Sequence, residues 1–204
     1  MLDTKKLEEL LAKFPEEPVT DADLEGFVRD IGMPVPDDLR AWLKMANGPS
    51  VPPRLFGLRT RSDIESILEI HPNWKMKKWI PIGNDGCGNY YVVPTQQEFG
   101  AGFPVMFIDT MEWSETPTYL VASSVGAFLK FFLESEIILS ELVPLYKTML
   151  DEGAWGNRLA IGINDPRRPK WPFDKQYVVE RDPGILGFSK ELLPWEVDKK
   201  SRGA

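Results

Sequence analysis

The sequence predicts an α+β domain, with an antiparallel β-meander sheet flanked by helices on its N-terminal and C-terminal sides. Three observations carry that prediction. Apolar residues recur at helical spacing early in the chain. Near Trp79 they give way to short runs rich in Val, Ile, Tyr and Phe, separated by turn-formers, and helical spacing resumes at Ser123. Helices grouped before and after the strands, rather than alternating with them, favour a segregated α+β arrangement over parallel β-α units. Finally, 204 residues, 43% apolar and 11% aromatic, suffice for a substantial core.

Each element has a local reason. Residues 4–14 place Leu7, Leu10, Leu11 and Phe14 on one helical face, and Pro15 stops the run. Residues 21–31 repeat the pattern with Leu24, Phe27, Val28 and Ile31; Thr20 is a good N-cap and Gly32 a good stop. Residues 36–46 do so again, with Pro36 in the first turn, Asp37 and Asp38 favourable to the helix dipole, and Asn47-Gly48 at the end. After a proline-rich loop, "LFGL" reads as a short strand. "SDIESILEIHP" reads as a helix with Ser62 and Glu65 as a capping box and His71 on its apolar side. "KWIPIG", "NYYVVP", "FPVMFID" and "TYLVAS" predict a contiguous antiparallel sheet over residues 78–122. A helix follows over 124–143, with Pro144 expected to kink or divide it. Residues 1–152 read as the domain and 153–204 as an extension packed on it, with a strand at Gln176–Val179 and a tail held through Trp171, Phe173 and Trp195.

Charge narrows the function classes. The net charge is −7, which disfavours nucleic acid as a partner. Residues 1–152 carry 14 basic and 24 acidic side chains, net −10, and residues 153–204 carry 10 and 7, net +3. The larger part would attract a basic partner. One cysteine, Cys87, excludes an intramolecular disulfide. With one histidine, His71, a zinc site of several His and Cys ligands cannot be assembled, and neither a metal nor a cofactor is expected. The first residues lack the apolar core of a signal peptide, and no apolar run approaches a membrane span, so a cytoplasmic protein is expected.

The stretch "IPIGNDGCGNYYVV", residues 80–93, is the one place where chemistry is suggested. Gly83 and Gly88 have P-loop spacing, but Asn89 stands where lysine is needed and a strand follows instead of a helix. A dinucleotide fingerprint fails for the same reason. "NDGCGNYYVVPT" ends in Thr where a calcium loop ends in Glu. Cys87 lacks a base nearby in sequence. The stretch therefore reads as a hairpin connection, with at least one of Gly83, Gly86 and Gly88 at positive φ.

The order of "VPDDLRAWLKMANG", "LFGL", "W-IPIGNDGCGNYYVV", "PVMFID" and "YLVASSVGAFLKFFL", over residues 20–133, resembles the SUKH superfamily. That group includes Smi/Knr-type cell-wall assembly regulators and many bacterial immunity proteins. The resemblance implies an α+β fold without known chemistry. It also implies a non-enzymatic protein-binding module, an immunity protein that neutralises a toxin, possibly a nuclease. A basic toxin domain is the partner to which the charge adds. The alternatives are a regulatory scaffold and, less favoured, a hydrolytic enzyme using Asp85 or Asp109 as base. The expected binding residues lie on loops: Asp85 at the hairpin tip, and Asp109, Glu112, Trp113 and Glu115 on the next connection.

Overall fold

The computed structural model describes residues 19–45, 55–57, 61–100, 102–112, 116–150 and 170–201. Seven α-helices are present among them: α1 (Asp21–Ile31), α2 (Asp37–Met45), α3 (Arg61–Ile70), α4 (Pro72–Lys77), α5 (Val125–Leu150), α6 (Lys175–Arg181) and α7 (Pro194–Ser201). Four strands, β1 (Trp79–Asn84), β2 (Tyr90–Pro94), β3 (Val105–Ile108) and β4 (Tyr119–Ala122), form one antiparallel sheet in the order β1-β2-β3-β4. This is the α+β meander that the change of period predicts. The expected helix over 4–14, the Asn47-Gly48 stop and the proline-rich loop lie outside the described residues.

Local chemistry explains the early helices. Thr20 and Asp23 form a reciprocal capping box at the start of α1, and Gly32 ends it in the left-handed region at φ 64°. Leu24, Phe27 and Ile31 of α1 and Leu39, Trp42 and Leu43 of α2 are buried, as their spacing requires. The helices α3 and α4 pack on β1. Of "LFGL", Leu55, Phe56 and Gly57 are described, and they form no strand of their own. Leu55 makes an isolated bridge to Gly83, and the Phe56 N–H donates to the Ile82 carbonyl at 2.7 Å, covering the outer edge of β1.

The sheet has two packed faces. Tyr91, Phe107 and Tyr119 stand opposite one another on successive strands. Their face turns toward α5, where Tyr91 meets Phe128 and Phe132. On the other face Tyr90 meets Trp74 and His71. Because side chains alternate along a strand, one register places neighbouring tyrosines on opposite faces.

The last described segment closes the β4 edge. The Trp171 indole N–H donates to the Val121 carbonyl at 2.7 Å. Buried Asp182 accepts from the Ser123 N–H at 2.7 Å and from the Ser123 hydroxyl. Val178, Ile185, Leu193 and Trp195 join the core, and α7 covers β4.

Four local expectations are corrected. Gln176–Val179 is helical, within α6, because Asp174 accepts from the Tyr177 N–H at 2.9 Å and Gln176 bonds Glu180 one turn on. A cap outweighs the β preference of two valines. Ser62 lies inside α3, which already includes Arg61, so it is not the N-cap. His71 follows α3 and opens α4, with its ring stacked on Trp74 at 4.3 Å. The helix α5 continues through Pro144 to Leu150 and is not divided there; the missing proline N–H forfeits one backbone bond.

Candidate functional site

The β1–β2 connection is built by its own side chains. The Asn84 side-chain oxygen accepts from the Gly86 N–H at 2.9 Å. Asp85 Oδ1 accepts from the N–H of Cys87 at 2.8 Å and of Asn89 at 3.1 Å, and Oδ2 accepts from the Asn89 side-chain amide at 2.8 Å. Gly86 at φ 77° and Gly88 at φ 97° supply the left-handed backbone that closes the turn. Gly83 plays a different part, sitting at a register shift in β1 and bridging to Leu55. Asp85, expected as a binding residue, thus organises the loop.

A second loop is fastened to the first. Between β3 and β4 the chain makes a 3₁₀ turn at Thr110–Glu112. The Asn89 side-chain oxygen accepts from the Thr110 N–H at 3.3 Å, and the Thr110 hydroxyl donates to the Gly88 carbonyl at 2.9 Å. Asp109 accepts from the Met111 N–H at 2.9 Å, leaving Met111 79% exposed at the tip. The two connections therefore form one ridge at one end of the sheet. Asp85 and Asp109 are brought together there, both half-buried, and both act on one group: their charges help burial to hold the Tyr119 hydroxyl far above its ordinary pKa. Glu112 closes the 3₁₀ turn, and its side chain lies outside the described set. Trp113 and Glu115 lie outside the described residues.

Beside this ridge lies a surface that sequence reasoning missed. Phe107 and Tyr119 stack at 4.9 Å with an interplanar angle of 12°, and Phe173 meets Tyr119 edge-on at 5.4 Å. Phe107 and Tyr119 are half-buried, and Phe173 is 46% exposed. The row continues inward to Tyr91, 5.6 Å from Phe107. Glu136 lies two turns beyond Phe128 on α5, and its charge is felt at the Tyr91 hydroxyl. It is 8% exposed, and burial pushes its carboxyl up to about 7. The Tyr91 hydroxyl is held far above its usual value, by burial first and then by Tyr119, Asp85 and Glu136. Repeated apolar residues at Phe128 and Phe132, followed by an acid at the next position of the same stripe, were the available signal.

The groups weighed for chemistry are dispersed. Cys87 is exposed on the hairpin tip, whereas His71 is stacked on Trp74 against the opposite face of the sheet. Among the described residues, no group of three or more His, Cys, Asp or Glu is placed to hold a metal ion. Among them too, no helix is long and apolar enough to cross a membrane.

A four-stranded meander enclosed by helices, with a braced loop ridge and an aromatic face at one end, defines a class of compact α+β domain whose distinctive surface lies on its connections. The model of the SMI1 / KNR4 family (SUKH-1) matches residues 18–130, more than half of the chain, and the protein belongs to that family. Comparison with curated proteins finds no match. The family match ends within α5, so Trp171, Phe173 and Asp182 come from sequence beyond it.

Proposed function

We propose that this protein is a non-enzymatic binding module, an immunity protein that recognises and neutralises a basic toxin domain in the cytoplasm. The observation that supports this reading is the joining of Asp85 and Asp109 on one braced ridge, in a chain whose first 152 residues carry a net charge of −10. A rigid acidic edge accelerates encounter with a basic surface and needs little reordering on binding. The engagement of both Asp85 oxygens in the loop favours a structural carboxylate over a catalytic base. In this reading residues 1–152 form the binding domain, and residues 153–204 form an extension that supports it. Asp109, Glu112, Trp113 and Glu115 contribute contacts, and Asp85 contributes charge and loop shape.

Affinity capture from the native host with mass spectrometry tests the reading. The expected product is a basic toxin domain whose activity the protein abolishes. On-rates should fall steeply with salt, because exposed charges are screened beyond roughly 8 Å at physiological ionic strength. A combined Asp109→Asn, Glu112→Gln, Glu115→Gln variant should associate more slowly than the parent. Recovery of several endogenous, non-toxin partners would instead support a regulatory scaffold. Salt-independent association would remove the ridge from the account.

A further inference from the structure

We propose that the crest of the ridge is an uncharged anchor, centred on Met111, that enters an apolar pocket rimmed by basic side chains on a protein partner. The inference rests on the protein-binding reading and names the contact that holds the complex once charge has brought it together.

Exposure divides the described part of the ridge into two layers. Gly86, Cys87, Gly88 and Met111 are exposed, and none of the four is an acidic or basic residue. Asp85, Asn89, Asp109 and Thr110 are half-buried. The acids are therefore set back, and the most accessible large side chain of the ridge is a thioether. At 79%, Met111 is also more exposed than Ile70, Met76, Phe173 or Leu186. Single apolar residues are common on surfaces, so exposure alone does not distinguish it. Its backbone does. The Met111 N–H donates to Asp109 at 2.9 Å. Thr110, beside it, donates through its N–H to Asn89 at 3.3 Å and through its hydroxyl to the Gly88 carbonyl at 2.9 Å. The hairpin that receives these bonds is itself closed by Asp85. A side chain held on a fixed backbone loses less freedom on binding, which is how preorganisation gains affinity. Methionine is enriched at interfaces and adapts to irregular apolar pockets. The surrounding charge states the partner's chemistry. Both Asp85 oxygens are engaged in the loop, but among the described residues the second Asp109 oxygen accepts no hydrogen bond and can meet a basic rim. An apolar contact ringed by polar groups that exclude water is the organisation of an interface hot spot.

The test has two arms, both on the full chain. The first uses a synthetic host, a β-cyclodextrin bearing amines around its rim, which is an apolar cavity ringed by positive charge. In NMR of isotope-labelled methionine methyls, the Met111 signal should shift saturably. Its apparent affinity should exceed by about threefold that at Met76, which α4 carries at 73% exposure and which serves as the matched control. Neutral β-cyclodextrin should show a smaller preference. Equal affinities at the two methyls with the amino host would overturn the anchor, and an equal preference with the neutral host would overturn its basic rim. The second arm uses the captured toxin domain. Met111→Ala should weaken binding about tenfold, chiefly through faster dissociation, while Met111→Leu and Met76→Ala should stay within about twofold of the parent. Both methionines are exposed, so these variants should fold as the parent does. A toxin that binds Met111→Ala as tightly as the parent would overturn the anchor but leave the protein-binding reading standing. Preference of the amino host for Met111 with no toxin captured would support the crest chemistry and overturn the wider reading.

Discussion

Replacing Glu136 by glutamine should stabilise the protein, and only above mildly acidic pH. In the folded chain burial raises the carboxyl from 4.5 to about 7. The folded state therefore holds its proton more tightly than the unfolded state. Below about pH 4.5 both states are protonated and Glu136 carries no penalty. As pH rises toward 7 the unfolded chain releases the proton first, so stability declines through that window and levels off above it. At about 1.4 kcal/mol per pKa unit the full shift corresponds to about 3 kcal/mol. The carboxyl retains some contact with water, which reduces the expected effect to about 1–2 kcal/mol. Glutamine preserves the shape and cannot ionise, so the variant should equal the parent at pH 4.5 and exceed it by that amount at pH 8. Urea unfolding at half-unit pH intervals measures the difference. The exposed carboxylates Asp21 and Asp23, held below the usual range by Lys44 and Thr20 respectively, titrate in more acidic solution and are common to both proteins. A difference independent of pH, or a variant less stable than the parent at pH 8, would refute the reasoning.

Gly86→Val should destabilise the fold by about 1–3 kcal/mol in urea unfolding. A Cβ there meets nothing within 4 Å, so the whole effect comes from forcing a β-branched residue to φ 77°. Asp182→Ala should remove about 2–4 kcal/mol, because it strands the Ser123 N–H and releases the segment that covers β4; limited proteolysis should then cut after residue 182 at lower protease concentration than in the parent. Cys87→Ser should leave stability and partner binding unchanged, since the thiol is exposed and only the Cys87 backbone N–H enters the loop network.

The features legible in the sequence are those decided over a few residues. Thr20, Asp23 and Gly32 bracket α1 by local hydrogen bonds and backbone preference, and the apolar spacing of α1 and α2 follows from one turn of helix. The strands and the glycine hairpin are local in the same sense, because alternation and positive φ are properties of short stretches. Even so, a local preference fails when a neighbouring residue competes: Val178 and Val179 suggest a strand, and the Asp174 cap makes them helix. The site belongs to another scale. Asp85 reads as an exposed acid until its loop folds back and engages both oxygens. Tyr91, Phe107 and Tyr119 become one surface only when strand register aligns them, and Phe173 reaches that surface from more than fifty residues away. Glu136 looks like any acid on a helix, and its altered proton affinity arises because burial in the folded chain removes most of its water. Burial and convergence are properties of the assembled chain, since desolvation depends on what lies across space rather than on what lies next in sequence.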